Sequence, residues 1–251
     1  MRPQRSTFLD RLPALLAAAL ILKVTASVVS RYESYFPLDF SSDFLRGREG
    51  HFRGVYAWAF YTHIVSGPVA LVAGLILVGD AFRARFPRWH RRLGRLQVAC
   101  VLLLVTPSGL WMASHAAAGP IAGVGLAALA IATAVCVALG ARSAVRRRFA
   151  EHRRWMWRCY LLLCSAVVIR LIGGLATVAW PAAFWVDLPA AWISWLAPLA
   201  MFEWRERRAV ARAGAAHHST TTSLSLPEID IIALRTAPGV PALRNDTRPL
   251  T

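Results

Sequence analysis

The sequence predicts an all-α, polytopic integral membrane protein, a helical bundle with a four-helix core and about six transmembrane helices. Of its 251 residues, 57% are hydrophobic and only 17% are charged, whereas a soluble domain has about 25% charged residues. The formal net charge is nevertheless +16, from 29 Lys and Arg against 13 Asp and Glu. An apolar mass in lipid with arginines at its edges reconciles these observations. They exclude an ordinary soluble enzyme, a disordered chain and a secreted disulfide scaffold.

Six apolar segments come close to the ~20 residues that a helix needs to cross the hydrocarbon core. They are residues 12–29, 56–79, 96–114, 121–141, 159–180 and 188–202. The last is short and contains Pro198, so a re-entrant segment is the alternative to a tilted span. The first follows Arg2, Arg5 and Arg11. A cleaved signal peptide, which would leave five spans, is therefore the alternative to an uncleaved first helix.

The arginines indicate the orientation of these spans. The loop at 80–95 holds six arginines and the loop at 142–158 holds seven, whereas the four arginines of residues 31–55 are balanced by four acidic residues. The positive-inside rule therefore predicts a cell inner membrane protein with both termini in the cytoplasm. The expected partners are the lipid bilayer and anionic lipid head groups at the cytoplasmic face. Nucleic-acid binding is not expected, because topology already accounts for these arginines.

The same patterns divide the chain into four regions. Residues 1–30 are predicted to form the first transmembrane helix or a signal anchor, 31–55 an extracytoplasmic loop, and 56–204 the helical bundle. Residues 205–251 contain a Ser/Thr-rich run at 217–225 followed by four prolines. Such a composition does not bury a core, so this region is predicted to be a disordered cytoplasmic tail.

Two similar segments enter the third and fifth spans. Residues 89–95 read WHRRLGR, and residues 151–158 read EHRRWMWR. Each segment joins one helix to an antiparallel neighbour. The pattern thus predicts two hairpins of the same orientation, spans two with three and four with five, packed as a four-helix core. Chance similarity in an arginine-rich chain is the alternative.

Ionisable residues inside a span are costly and usually functional, and this chain has three prominent ones. By the rise per residue, His63 lies roughly 10 Å, Arg170 roughly 15 Å and Lys23 roughly 9 Å below the outer boundary. No Asp or Glu lies in any predicted span. A shared pocket would therefore draw its negative charge from outside the spans or from a bound carboxylate, phosphate or haem propionate. The outside candidates are Asp187, Glu33 and Asp39. The alternatives are that Lys23 snorkels outward and that Arg170 bonds to backbone carbonyls.

A second set of candidates lies at the cytoplasmic edge. His90 and His152 occupy equivalent places in the two similar segments, with Arg95 and Arg158 beside them. Their placement permits a second site that faces the cytoplasm. Solvated side chains that bind lipid phosphates are the alternative.

Several of these motifs together resemble a known family. They are Tyr61-Thr62-His63 with Gly67, His90-Arg91 with Gly94-Arg95, His152-Arg153 with Trp155-Met156 and Arg158, and the later Arg170. In this order they resemble the predicted bacterial membrane proteins catalogued as domain of unknown function 2306, over roughly residues 44–170. The resemblance implies a polytopic inner-membrane protein, and it implies no established activity. It adds weight to His63, His90, His152 and Arg170 as a set. Leu96-Gln97 departs from the aromatic residue expected at that point.

Three functions follow from these residues, and whether the chain is an enzyme stays open. The leading hypothesis is a redox or small-ligand site in the helical core, loosely similar to membrane di-haem cytochromes b. There His63 would be an axial ligand of haem b, and Arg170 would neutralise propionates. The second is a transporter or lipid-handling protein that holds an anionic substrate at Arg170 and His63. The third is a non-catalytic subunit in which Arg170 ties helices together.

Overall fold

The structure, a computed structural model, describes residues 8–42, 45, 48–179 and 184–223. Nine α-helices account for most of these described residues. In chain order, α1 to α9 are Phe8–Val29, Gly54–Val78, Asp80–Arg85, Pro87–Cys100, Thr106–Ala113, Pro120–Val145, Phe149–Leu163, Ser165–Ala179 and Asp187–Ser223. The predicted all-α class is confirmed. Most of the predicted tail, residues 224–251, lies outside the described residues.

Five stretches of the described chain are long and apolar enough to cross a membrane. They are Leu12–Ser34, Gly54–Val78, Pro87–Ala113, Pro120–Val145 and Phe149–Ala179. The third consists of α4 and α5 joined by a π-helical turn, and the fifth consists of α7 and α8. The sixth predicted segment lies within α9, which is not among these five, so its crossing stays a prediction.

The described residues divide into two compact units between Glu203 and Trp204. In the first unit, spans two to five surround a buried core, to which α9 adds Trp195. The core residues are Ala70, Val101, Cys136, Val137, Cys159, Leu162 and Trp195. The most apolar window of the first span has no buried residue, so the first span lies at the periphery. In the second unit, the Arg208 guanidinium lies 3.8 Å from the centroid of the Trp204 ring.

Small residues let the spans pack closely at defined points. A Cβ added at Gly123 of α6 would lie 2.6 Å from the Ala113 carbonyl oxygen at the end of α5. A Cβ at Gly74 of α2 would lie 2.8 Å from Tyr160 Cδ2, whereas one at Gly67 would meet nothing within 4 Å. Of the glycines below His63 in α2, Gly74 therefore serves helix packing.

Two spans contain interruptions that free backbone groups inside the apolar region. Pro68 lies within α2 and has no N–H to offer the carbonyl of Ile64, four residues earlier. The Tyr32 hydroxyl donates to this carbonyl at 2.5 Å. In the third span, the Thr106 N–H bonds to the Val101 carbonyl, five residues back, and Pro107 follows. At both interruptions, polar side chains lie in the apolar part of the span, where an uninterrupted helix would need none.

We expect Gly123→Ala to destabilise the protein by about 1–3 kcal/mol, because the new methyl group overlaps a backbone oxygen that cannot rotate away. Gly174→Ala is the matched control, since an added Cβ there meets nothing within 4 Å. The control should be neutral or stabilise the helix by up to about 1 kcal/mol. Thermal unfolding of the purified variants in detergent measures both effects. Equal melting temperatures for the two variants would contradict the close contact of α5 with α6.

Candidate functional site

His63 lies on α2 and faces the third span. Its Nδ1 is 3.1 Å from Ser108 Oγ. Because that hydroxyl donates to the Leu104 carbonyl at 2.5 Å, it accepts from the ring. This network places a proton on Nδ1 of His63. A Cβ at Gly109 would lie 3.3 Å from His63 Cε1, so the ring packs directly against the backbone of α5.

Arg170 lies on α8 and is exposed on the surface of the bundle. Its Nη1 donates to the Ala166 carbonyl at 2.8 Å, which is the backbone alternative that the sequence left open. Arg170 also lies close enough to His63, Tyr32 and Tyr35 to interact electrostatically. The structure therefore brings Arg170 and His63 into one region, with two tyrosines that were not among the predicted site residues.

The three acidic residues suggested as partners of Arg170 do not pair with it. None of the ion pairs among the described residues includes Arg170, Asp187 or Glu33. Asp39 instead accepts hydrogen bonds from the Ser41 hydroxyl at 2.6 Å and the Ser41 N–H at 2.9 Å. These bonds hold the pKa of the Asp39 carboxyl below its usual range.

Lys23 is exposed on α1 and has no hydrogen bond or ion pair with the described residues. Its neighbours Ile21 and Val24 pack on the buried cluster around Leu71 and Tyr160. No described contact joins Lys23 to His63 or Arg170. A place for Lys23 in the pocket therefore stays a prediction, as does the snorkelling alternative.

A pocket of about 380 Å³ that the sequence did not suggest lies where the loop before α2 meets the end of α5. Arg48 Nη1 donates to the Tyr56 hydroxyl at 2.8 Å and to the His115 carbonyl at 3.3 Å. The His51 and His115 ring centroids are 5.6 Å apart. Arg48 and His51 come from an irregular loop, and no sequence spacing signals that such a loop folds over a helix end.

At the arginine-rich edge, defined by residues 80–95 and 142–158, the two similar segments have different environments. His152 Nδ1 donates to the Gly140 carbonyl at 2.8 Å, so His152 ties α7 to α6. His90 Nδ1 is buried without a hydrogen-bond partner among the described residues. Arg95 is exposed. The structure therefore shows a structural role for His152 that His90 does not share.

Arg158 forms a bidentate ion pair that was not predicted from the sequence. Its Nε donates to Glu203 Oε1 at 2.5 Å and its Nη2 to Oε2 at 3.0 Å. The Arg158 side chain is 19% exposed, and its guanidinium lies 4.7 Å from the Trp155 ring centroid. The pair joins α7 to α9. Glu203 directly follows the last predicted apolar segment, which is the one sequence signal that could have found it.

The arrangement of histidines does not support a haem site. His63 already shares a hydrogen bond with Ser108, and its ring packs on Gly109. The histidine rings that contact each other in the described residues are His51 and His115. The described residues also contain no group of three or more His, Cys, Asp or Glu side chains that could hold a metal ion.

We expect Glu203→Met to destabilise the protein by about 1–3 kcal/mol, because it leaves the partly buried Arg158 charge without its two charged hydrogen bonds. The double variant with Arg158→Met should lose less than the sum of the single losses. Arg153→Met is the control, since its pair with Asp80 is about half exposed and such pairs contribute about 1 kcal/mol or less. Thermal unfolding of the parent, the Glu203→Met and Arg158→Met single variants and the double variant measures the coupling, and strictly additive losses would contradict it.

Of three comparisons with known proteins, the comparison with protein families gives a match. Neither the curated proteins nor the solved structures searched contain a match to the chain. A family model described as predicted membrane protein (DUF2306) matches residues 60–204. The matched range includes His63, Arg170 and the Arg158–Glu203 pair, and it ends beyond the range suggested by the sequence motifs. Because it covers more than half of the 251 residues, the chain belongs to the DUF2306 family of predicted membrane proteins.

Proposed function

We propose that this chain is a multi-pass inner-membrane protein that binds an anionic carboxylate or phosphate group at Arg170, as a transporter or lipid-handling protein. One observation carries the proposal. Arg170 lies in a helix that is long and apolar enough to cross a membrane, the residue is on the surface of the bundle, and no acidic side chain among the described residues pairs with it.

The cost of this arrangement favours a ligand. A charged arginine near the middle of a spanning helix costs about 2.5–3.5 kcal/mol on insertion scales. The bond to the Ala166 carbonyl satisfies one donor of the guanidinium, which has five N–H donors in a planar fork. Two oxygens of a carboxylate or phosphate match that fork and supply the missing charge.

The surroundings of Arg170 suit an anion. Tyr32, Tyr35 and His63 lie within electrostatic range of the guanidinium. The Tyr32 hydroxyl is held by Ile64, and the Tyr61 hydroxyl donates to the Tyr35 carbonyl at 3.2 Å. Tyr32 and Tyr35 are thus held in place beside this surface residue, and such surroundings suit a lipid head group as well as a small solute.

The proposed orientation places the arginine-rich edge and both termini in the cytoplasm. It rests on the arginine bias between loops. A cavity of about 260 Å³ at this edge has three arginines in its lining, Arg142, Arg146 and Arg148, of which Arg148 pairs with Glu151. We propose that this cavity binds anionic lipid head groups.

A fusion experiment tests this orientation. Green fluorescent protein attached after Thr251 should fluoresce, because it folds in the cytoplasm, whereas alkaline phosphatase at the same position should stay inactive. The same reporters inserted after Gly119, between α5 and α6, should give the opposite result. Active phosphatase at the carboxyl terminus would overturn the orientation.

We expect Arg170→Gln to weaken binding of a short-chain phosphatidic acid at least tenfold, because the variant keeps hydrogen-bond donors and loses the charge. The experiment uses the purified chain in nanodiscs of neutral lipid, with inorganic phosphate and acetate titrated separately. Binding of the lipid alone identifies a head-group site, and binding of the free anions identifies a solute site. Arg95→Gln, which removes an exposed arginine outside the proposed site, is the control for nonspecific electrostatic binding of the lipid.

Two outcomes would overturn the proposal. Unchanged binding in Arg170→Gln would remove the ligand role. Loss of stability with unchanged binding would show that Arg170 only ties α8 together, as in a non-catalytic subunit. If Arg170 binds an anion, Arg170→Gln without ligand should be at least as stable as the ligand-free parent, because the variant no longer holds an unpaired charge in the membrane.

A further inference from the structure

The pocket beside the end of α5 has the size of a small-molecule site. Its volume of about 380 Å³ lies in the range of ~300–1,000 Å³ that is common for ligand pockets. Arg48 and His51 of the loop line one side, Tyr56 of α2 lines a second, and His115 lines a third, just after α5. The described lining residues therefore include three basic side chains and no acidic one.

Hydrogen bonds and ring contacts hold these side chains together. The ring centroid of His115 is 5.6 Å from that of His51 and 5.1 Å from that of Tyr56. Arg48 Nη1 donates to the Tyr56 hydroxyl at 2.8 Å and to the His115 carbonyl at 3.3 Å. Arg48 and His115 are 67 residues apart in the sequence, so the folded loop creates a basic cluster that no local motif contains.

The hydrogen bonds of His115 determine what its ring can offer to a ligand. Its Nδ1 is 3.3 Å from the Trp111 carbonyl oxygen, which can only accept. Nδ1 is also 2.9 Å from the Ser114 hydroxyl, and that hydroxyl itself donates to the Trp111 carbonyl at 2.7 Å. Nδ1 therefore carries a proton. Nε2 then has a lone pair in the neutral ring and an N–H donor in the protonated ring, so His115 can donate to an anion through Nε2 only when it is protonated.

We propose that this pocket binds a small oxyanion solute, with a carboxylate or phosphate-like group, and that the binding is coupled to protonation of His115. Arg48 and the two histidines supply the positive charge. The Tyr56 hydroxyl accepts from Arg48 and keeps a proton that it can donate to an oxygen of the ligand.

The composition of the lining favours an anion over a metal ion. The described residues contain no group of three or more His, Cys, Asp or Glu side chains that could hold a metal, and the Arg48 guanidinium would repel a cation. The described lining includes neither Arg170 nor His63. The pocket is therefore separate from the anion site proposed at Arg170 and does not rest on it.

Calorimetric titration of the full chain in nanodiscs of neutral lipid tests the pocket. The Arg170→Gln variant is the starting protein, so that the site proposed at Arg170 does not contribute. The probes are sulfate and acetate, since sulfate is fully ionised and acetate largely ionised from about pH 5.5 to pH 8, the range in which histidines change charge. We expect at least one probe to bind, with an affinity about tenfold or more higher at the lower pH, as for one added charge-assisted hydrogen bond.

Two variants and a matched control assign the binding to individual side chains. The charged and titratable groups that face His115 are Arg48, His51 and Tyr56, so the pH dependence has to be assigned between the two histidines. His115→Gln should weaken binding and remove most of the pH dependence, because an amide keeps its donors at any pH. His51→Gln changes an exposed side chain and should weaken binding while the pH dependence persists. Arg53→Gln removes an exposed charge of the same loop outside the described lining and should bind like the starting protein.

Several results would overturn the proposal. One is that neither probe binds at the lower pH, or that only a short-chain phosphatidic acid binds. Another is that Arg53→Gln weakens binding as much as His51→Gln, which would indicate nonspecific attraction. Unchanged pH dependence in His115→Gln would remove the coupling. Binding of zinc chloride in place of the anions, lost in His51→Gln, would show that the histidines hold a metal ion. Because every titration is made without the Arg170 charge, each of these results leaves the function proposed for Arg170 unaffected.

Discussion

Backbone carbonyls inside a bilayer have no water to bond with, and this constraint governs most of the polar side chains in the bundle. Pro68 cannot donate to Ile64, so Tyr32 reaches across from the end of the first span to do so. The third span changes to a π-helical turn before Pro107, and the Ser108 hydroxyl turns back onto the Leu104 carbonyl. Near each proline, a side-chain hydroxyl bonds to a backbone carbonyl.

The same constraint distinguishes polar side chains that satisfy backbone carbonyls from polar side chains whose role is not yet assigned. His152 and Gln97 resemble site residues by type, yet His152 Nδ1 and Gln97 Nε2 donate to carbonyls of a neighbouring span. His63 bonds to a hydroxyl that itself bonds to the backbone. Arg170 differs from these residues, because one carbonyl cannot balance its charge. A polar side chain in this membrane protein therefore indicates a function when part of its charge or hydrogen-bonding capacity is not satisfied by the described residues.

Hydropathy was enough to predict the helical class and five of the six apolar segments as possible spans, because a bilayer accepts few other solutions. Counting residues from the span ends also placed His63 and Arg170 in the same half of the bundle, and the structure brings them within electrostatic range. The sequence signal for the Arg158–Glu203 pair is the position of Glu203 just after the last apolar segment, and because the two members are 45 residues apart this signal does not indicate the partner. The likeness of the segments around His90 and His152 was misleading as a guide to role. A shared motif fixes where a helix enters the membrane, whereas the bond to Gly140 depends on the neighbouring helix.

The basic groups in the spans differ in how they can avoid an uncompensated charge, and this difference leads back to Arg170. A histidine can stay neutral, and a lysine can extend its amine outward along a flexible stem. His63 has the Ser108 hydroxyl, and Lys23 is exposed on a peripheral helix. An arginine stays charged in any protein environment, so Arg170 keeps its charge wherever it lies in the span. Arg158 resolves the same problem with Glu203. Since Arg170 has no such acidic partner among the described residues, it is the group whose charge the proposed anionic ligand would balance.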